Sequence, residues 1–246
     1  MAQACMVEQP QEELSREILA MVDFVAANTV AEPTPLVPEI TLRLAAAAVP
    51  LWDKIEAEFG MHGLAPPYWA FAWAGGQALA RYLLDYPAVV AGRRVLDFAA
   101  GSGLSAIAAA QAGAAQVVAS DIDYFAGIAI ALNAEANGVP VEITATDLLA
   151  DDADFDPSSF DVVLAGDVFY EPGLAGRVLA LLHRCQAAGA VVLLGDPGRE
   201  HLPKHRLITL RQYEVTVSRD MQYSAASDDE DGHDIRLSSV FELTAG

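Results

Sequence analysis

A glycine-rich loop directly after an apolar segment is the part of the sequence best suited to bind a ligand. The run VLDFAAGSGLSA places Asp97 and Ala99 just before Gly101 and Gly103, and helix-forming residues follow. Glycine lets the backbone approach a ligand closely, and the free amide groups of a helix N-terminus attract polar or anionic groups. The run therefore predicts a strand, a ligand-binding loop and a helix, with a nucleotide-like cofactor on the loop.

Two aspartates further along the chain extend this pattern. Asp121 ends the next apolar segment, 20 residues after Gly101, which is the separation expected of a carboxylate that binds ribose hydroxyls. Asp123 is the alternative for this role, and Asp147 follows the third apolar segment. Residues 101–106 (GSGLSA) also satisfy the dinucleotide pattern G-x-G-x-x-G/A, so the glycines alone leave a nicotinamide cofactor open.

A second group of candidate residues follows the fourth apolar segment. In GDVFYE (166–171), Asp167 and Tyr170 are expected at the carboxyl edge of the sheet, where open α/β folds bind their ligands. Upstream, PPYWAFAWAGGQALARYLLD carries Trp69 and Trp73 ahead of a Gly-Gly pair and a helix. Packing without a ligand contact is an alternative interpretation for both Trp69 and Trp73.

Strand-like and helical segments alternate along the part of the chain that carries these residues. This alternation predicts a parallel sheet with helices on both faces. The helical segments between the strands include two that end at Gly113 and Gly138. A further short helix is predicted near residues 201–210, and YEVTVS and IRLSSVFEL predict a C-terminal hairpin joined by SAASDDEDGHD. The strand predictions are RRVLDFA (93–99), AQVVAS (115–120), VEITAT (141–146), FDVVLAG (160–166) and AVVLLGD (190–196).

The N-terminal quarter differs from this alternating pattern. Residues 11–28 have apolar side chains at helical spacing and predict an amphipathic helix. Pro33, Pro35 and Pro38 then interrupt regular helix, which indicates a connection to the main body. We therefore expect a helical cap and connection over residues 1–66 and a cofactor-binding domain over 67–246.

Composition limits the classes of partner. The 246-residue chain has a formal charge of −20, which repels phosphate backbones and disfavours nucleic acid. Mean hydropathy is +0.28, but the chain lacks a run of about 18 apolar residues that could cross a membrane. The N-terminus resembles neither a secretory signal nor a transit peptide, which predicts a cytoplasmic protein. A polypeptide or small-molecule substrate is favoured.

Metal and disulfide chemistry are not expected. Cys5 and Cys185 have no partner spacing and are predicted to be free thiols. His201 and His205 could share a helix face, but no motif supplies a third metal ligand. The acidic runs within 151–156 and 228–231 lack the glycine and glutamate of a calcium loop, so they predict solvated loops.

The series Asp97, Gly101, Asp121 and Asp147 resembles the class I S-adenosylmethionine-dependent methyltransferases. The resemblance implies that the glycine loop holds the aminoacyl part of S-adenosylmethionine, the second-strand acid the ribose and the third-strand acid the adenine amine. It also implies a doubly wound, mostly parallel seven-stranded sheet with a C-terminal antiparallel hairpin and a small N-terminal cap. That family usually has glycine at the position of Ala99.

A narrower resemblance covers about residues 35–195. The segments VPEITLRL, PLW, the tryptophan-glycine run and DVFYE are similar to the lysine methyltransferases of the electron transfer flavoprotein beta subunit and their bacterial relatives. The resemblance implies that Trp73 lines the cofactor pocket, where an aromatic face can attract the sulfonium cation. It further implies a protein substrate, the flavoprotein beta subunit being the suspected one, and a catalytic role for Asp167 and Tyr170 of the Asp-x-x-Tyr signature.

The implied reaction is methyl transfer to a lysine ε-amine. Lysine has a reference pKa of about 10.4, so only roughly 0.1% of the amine is neutral near pH 7.4, and the site must favour loss of a proton. Asp167 would accept a hydrogen bond from the amine, while Tyr170 would shape the channel. The alternatives are a small-molecule N-methyltransferase, a nicotinamide-dependent oxidoreductase and a non-catalytic scaffold that binds a protein.

Overall fold

The strands of the computed structural model, which describes residues 5–62, 65–218 and 233–244, form two sheets. The small sheet is an antiparallel pair, and the large one has seven strands. The strands of the described chain are β1 (Val30–Pro33), β2 (Thr41–Leu44), β3 (Arg94–Phe98), β4 (Gln116–Ser120), β5 (Glu142–Thr144), β6 (Val162–Gly166), β7 (Val191–Asp196), β8 (Leu207–Ser218) and β9 (His233–Leu243).

The large sheet has the strand order β5-β4-β3-β6-β7-β9-β8. Its first five strands pair in parallel, and β9 and β8 add an antiparallel hairpin at the end of the chain. The order reverses between β3 and β6, and such a switch point opens a crevice beyond the carboxyl ends of the strands. The predicted doubly wound sheet and its C-terminal hairpin are confirmed.

Helices cover both faces of the large sheet. Along β3, Val95 packs in one buried cluster with Leu83 and Ile107, and the next residue, Leu96, packs in another with Leu182. This alternation follows from the two-residue period of a strand that is buried on both faces. The helices are α1 (Cys5–Asn28), α2 (Ala48–Phe59), α3 (Ala74–Asp85), α4 (Leu104–Gln111), α5 (Tyr124–Ala136) and α6 (Pro172–Ala187).

One local prediction was wrong, and one hairpin was missed. A single 3-10 turn, Lys204–Arg206, replaces the short helix expected near 201–210, because Leu207 already begins β8 and pairs with Leu243. The proline-rich connection contains the hairpin β1–β2, in which Pro33 is tolerated at the strand end opposite Thr41. Helix α1 also begins earlier than the predicted residue 11.

The other local expectations concern loops and cysteines. The acidic run within 151–156 is an exposed loop, whereas the run 228–231 lies outside the described residues. Cys185 is buried and free, and the side chain of Cys5 lies outside the described part. The described residues contain no cluster of three or more side chains suited to a metal ion, and none of their helices is long and apolar enough to cross a bilayer.

Asn133 of α5 and Asn137, the residue that caps the end of this helix, tie the N-terminal hairpin to the main sheet domain. The buried Asn133 accepts a hydrogen bond from the backbone amide of Arg43 at 2.8 Å and donates one to the carbonyl of Ser102 at 2.9 Å. Asn137 accepts from the amide of Thr41 at 3.0 Å and donates to its carbonyl at 2.7 Å. Asn133 therefore bridges β2 and the glycine-rich loop directly.

Candidate functional site

A cavity of about 450 Å³ opens beyond the carboxyl ends of β3, β4 and β6. Ligand pockets commonly enclose about 300 to 1,000 Å³, so a nucleoside-sized molecule fits this one. Its wall combines a cluster of carboxylates with aromatic rings, and Arg199 is the one basic side chain among the lining residues of the described chain. The carboxylates belong to Asp97, Asp121, Asp123, Asp147 and Asp167.

The structure brings almost all of the predicted site residues to this cavity. Gly103 is the exception, because it does not line the wall. It packs instead at the start of α4, where an added Cβ would lie 3.1 Å from Cγ1 of Ile130. The predicted residues that do line the cavity are Trp73, Asp97, Ala99, Gly101, Asp121, Asp147, Asp167 and Tyr170.

The glycine-rich loop has a left-handed backbone at two positions that face the cavity. Ala99 and Gly101 both have φ of +53°. The amide of Gly101 donates to Oδ2 of Asp121 at 2.8 Å, which fastens the loop after β3 to the end of β4. Glycine adopts such a φ without strain, whereas alanine does not. The departure from the family pattern at Ala99 therefore has a conformational cost.

We expect Ala99→Gly to stabilise the protein by about 1 kcal/mol, because relief of the left-handed strain exceeds the entropy lost by glycine. In a domain of this size that should raise Tm by roughly 2 to 4 °C in thermal unfolding. Ala100→Gly is the matched control, since Ala100 has no left-handed φ and should lose stability. An equal decrease of Tm in both variants would show that the left-handed backbone at Ala99 is not strained.

The buried aspartate at the end of β3 is held in an apolar setting. Asp97 accepts a hydrogen bond from the amide of Ala106 at 2.9 Å, inside the first turn of α4. Burial raises its pKa to about 7, and the nearby carboxylate of Asp121 contributes to the rise. A cationic group placed beside Asp97 would stabilise its ionised form and be bound by it.

Asp121 and Asp123 have different local partners. Asp121 accepts from the amide of Asp123 at 3.0 Å as well as from Gly101, and burial raises its pKa. Asp123 is the N-cap of α5, because its side chain accepts from the amide of Phe125 at 2.8 Å. On the neighbouring strand end, Asp147 accepts from the amide of Leu149 at 2.9 Å. The helix cap gives Asp123 a structural task that Asp121 does not have.

Aromatic rings form the mouth of the cavity. The ring of Tyr68 lies 5.8 Å from that of Trp73 and 5.5 Å from that of Tyr170, measured between centroids. The indole Nε1 of Trp73 donates to the carbonyl of Tyr68 at 2.8 Å, which fixes the indole. Tyr68 and Tyr170 are 37% and 48% exposed. Trp69 is buried and stacks on Phe125, so it packs in the core while it also lines the cavity.

Sequence reasoning missed the partner of Asp167. Asp167 is buried with a left-handed φ of +61°, and its Oδ1 pairs with Nη1 of Arg199 at 2.5 Å. The same nitrogen lies 3.1 Å from Oδ2 of Asp196, at the end of β7. Burial raises the pKa of Asp167, and the guanidinium of Arg199 opposes the rise. An arginine soon after a strand-ending aspartate, in GDPGRE, was the one available signal.

Helix α3 reaches Asp167 through an unusually close contact with the sheet. A Cβ on Gly75 would lie 2.1 Å from the carbonyl oxygen of Gly195 and 2.6 Å from Oδ2 of Asp167. This approach lets the amide of Gly76 donate to Oδ2 of Asp167 at 2.8 Å. The Gly-Gly pair of the sequence therefore brings the N-terminus of α3 against the Asp167 carboxylate, where the helix dipole favours the anion.

Comparison with known proteins agrees with this geometry. Residues 78–168 match the ribosomal protein L11 methyltransferase (PrmA) family. The electron transfer flavoprotein beta subunit lysine methyltransferase of Rattus norvegicus is 40% identical over 202 residues, covering 79% of this chain and 76% of the relative. The same enzyme of Danio rerio is 42% identical over 188 residues, with 75% and 70% coverage. A homologue from Caenorhabditis elegans is 30% identical, with 86% and 90% coverage.

The sheet order, the cavity and these similarities define a class I S-adenosylmethionine-dependent methyltransferase. Within that class, the chain belongs to the family of electron transfer flavoprotein beta subunit lysine methyltransferases.

The cavity fits S-adenosylmethionine better than a dinucleotide. The cofactor carries a sulfonium and an amino group, so it has a net positive charge that suits a wall rich in carboxylates. The anionic pyrophosphate of a nicotinamide dinucleotide matches such a wall poorly. At the loop, a Cβ on Gly101 would meet only Cα of Trp69, at 3.8 Å, so there is open space for a ligand against the backbone. Because the chain belongs to a methyltransferase family, the nicotinamide alternative is wrong.

Proposed function

We propose that this enzyme transfers methyl groups from S-adenosylmethionine to lysine ε-amines of the electron transfer flavoprotein beta subunit. The relatives that carry this name are about 40% identical over three quarters of the chain. The observation that carries the proposal is the exposed aromatic mouth formed by Tyr68, Trp73 and Tyr170, which leads inward to Asp167. A long aliphatic side chain that ends in an amine suits such an opening.

The contacts of the wall support a role for each residue in holding the cofactor. The loop around Gly101 would lie against the aminoacyl part, and Asp97 would pair with its cationic amine. Asp121 would accept hydrogen bonds from the ribose, and Asp147 would meet the adenine amine. Trp73 would place its aromatic face near the sulfonium. When bound, S-adenosylmethionine supplies an electrophilic methyl group.

The protein's own task is to position the acceptor and exclude water. The ε-ammonium must first lose a proton to solvent at the cavity mouth, because only a neutral amine has a lone pair to donate. Asp167 has one oxygen paired with Arg199 and the other with the amide of Gly76, and each oxygen retains an acceptor site for the amine. Tyr170 would line the path of the lysine chain beside Tyr68.

Cofactor affinity should distinguish the two candidate ribose ligands. We expect Asp121→Ala to weaken S-adenosylhomocysteine binding at least tenfold, since hydrogen bonds to a charged group contribute about 1.5 to 3 kcal/mol. Asp123→Ala should mainly remove the cap of α5, at a cost of about 1 kcal/mol of folding stability. Calorimetric titration and thermal unfolding of both variants provide the test. Loss of affinity in Asp123→Ala alone would transfer the ribose role to Asp123.

The acceptor is tested by mass spectrometry of a purified electron transfer flavoprotein beta subunit after incubation with enzyme and S-adenosylmethionine. We expect mass increases in steps of one methyl, located on lysine by peptide fragmentation. Asp167→Asn should bind S-adenosylhomocysteine normally yet lose kcat by about a hundredfold, because its amide cannot form the same ionic contacts. Asparagine also tolerates the left-handed φ, so the substitution should leave the backbone conformation at this position unchanged.

A different acceptor would leave a different pattern of label. Methyl-labelled S-adenosylmethionine added to a cell extract should label a protein band. Label confined to a small metabolite, or full methylation of the flavoprotein by Asp167→Asn, would contradict the proposal. The predicted cytoplasmic location and the predicted absence of nucleic acid and membrane partners stay predictions.

A further inference from the structure

Arg199 is the one positive charge among the residues that line the described cavity, and it faces the proposed acceptor site. Its side chain is 24% exposed and follows β7 in the turn that starts at Asp196. That turn is rigid, because Oδ1 of Asp196 accepts from the amides of Gly198 and Arg199 at 2.7 Å each. The hydrogen-bonded turn therefore holds the backbone of Arg199 in a position from which its guanidinium contacts Asp167.

We propose that Arg199 is a positioning residue for methyl transfer, which fixes the Asp167 carboxylate and favours the neutral lysine amine over the ammonium ion. The lysine part of this inference rests on the proposed function. Arg199 touches Asp167 directly, and it acts on the substrate through that carboxylate and through its charge.

The charge balance around Asp167 explains why an arginine is needed. Asp167 and Asp196 are both buried, and Arg199 compensates one of their two negative charges. Without Arg199, the desolvated carboxylate of Asp167 would take up a proton or hold the lysine as an ammonium ion. The first outcome removes the anionic acceptor that orients the amine, and the second removes the nucleophile, because an ammonium nitrogen has no free lone pair.

Other groups near Asp167 do not replace this charge. From α3 it receives the uncharged amide of Gly76, and on its own segment Tyr170 and Glu171 follow. Burial raises the pKa of Tyr170, and Tyr68, Glu171 and Asp121 on the β4 side add to the rise, so the two carboxylates bring negative charge to the mouth. The guanidinium is thus the one cationic group beside Asp167 in the described chain.

The reaction balances without a protein base of high pKa. The ε-ammonium releases one proton to water, and the nitrogen lone pair then forms the new N–C bond as the S–C bond breaks. The electron pair of the S–C bond goes to sulfur, and the methylated amine carries the positive charge. The positive charge of Arg199 disfavours the lysine ammonium ion near Asp167. It therefore shifts the deprotonation equilibrium of the lysine towards the neutral amine.

The kinetic test compares Arg199→Met with Arg199→Lys over about pH 6.5 to 10, with the flavoprotein beta subunit as acceptor. We expect the methionine variant to lose at least tenfold in kcat at pH 7.5, and the acidic limb of its kcat profile to move up by about one pH unit. Its KM should stay the same or fall, because the ammonium form binds more tightly. Arg199→Lys keeps the positive charge, so the acidic limb of its kcat profile should return to the wild-type pH. A kcat loss without a shifted limb, or a raised KM alone, would overturn the proposal.

A second measurement does not depend on the acceptor. Carbon-13 NMR of the Asp167 carboxyl group, assigned by its loss in Asp167→Asn, is recorded in the S-adenosylhomocysteine complex of each folded variant. The pKa of Asp167 should be higher in Arg199→Met than in the wild type, because burial raises it and the guanidinium that opposes this rise is gone. An unchanged titration would overturn the role of Arg199. Absence of flavoprotein methylation by the wild type would instead reject the proposed function, and the NMR result would still decide on Arg199.

Discussion

Gly75→Ala is expected to destabilise the protein by at least about 3 kcal/mol and to abolish methyl transfer, because overpacking at buried backbone is costly. The new Cβ would lie 2.1 Å from a backbone carbonyl oxygen of Gly195, which cannot move without shifting β7. Thermal unfolding should show Tm lower by roughly 6 °C or more, at 2 to 4 °C for each kcal/mol.

The adjacent residue supplies the control for that variant. Gly76→Ala places its Cβ where no atom lies within 4 Å, and it keeps the amide that donates to Asp167. Its Tm should equal or slightly exceed the wild-type value, since alanine is the better helix former. If both variants unfold at the same temperature, the close contact between α3 and β7 does not determine stability.

Gly101→Val is expected to weaken S-adenosylhomocysteine binding by at least a hundredfold. A β-branched residue is strongly disfavoured at φ of +53°, and its side chain would enter the open space beside Trp69 where we propose that the cofactor binds. Calorimetric titration measures the loss, and circular dichroism checks that the fold remains.

Gly138→Val separates backbone strain from steric exclusion. Gly138 has a similar φ of +65° and open surroundings, but it lies at the end of α5 and does not line the cavity. The variant should lose stability to a similar degree while it keeps wild-type affinity. A comparable loss of affinity in Gly138→Val would mean that strain transmitted through the fold, not contact, weakens binding.

The sequence predicted the parallel part of the sheet well because its central strands are buried on both faces. Strands such as β3 and β6 are short apolar runs bounded by loop residues, and the structure places them within one or two residues of the predicted limits. Prediction failed near residues 201–210, where a short segment has no decisive period and pairing with the distant β9 determines its conformation. The hairpin β1–β2 was missed for a similar reason, because Pro33 indicated a break.

The candidate site was predictable where one local segment carries the signal. Asp97, Gly101 and Asp121 were found from loop chemistry and spacing, and the structure brings them to one cavity, although their roles stay predictions. Arg199 was not found, because its contact with Asp167 depends on the register of β6 beside β7 and on the turn after β7. The run GDPGRE shows only that an arginine follows a strand-ending aspartate, and it does not encode the pairing with Asp167.

The Asn133 bridge between β2 and the carbonyl of Ser102 has a thermodynamic consequence for the N-terminal cap. Opening the cap breaks the hydrogen bond from the Arg43 amide to Asn133, and the same side chain donates to the carbonyl of Ser102 in the glycine-rich loop, so the cap and the loop are coupled through Asn133. By linkage, a ligand that binds best when Asn133 holds the loop must raise the free-energy cost of opening the cap. Cofactor occupancy should therefore protect the β2 amides from solvent exchange, although those amides do not line the cavity.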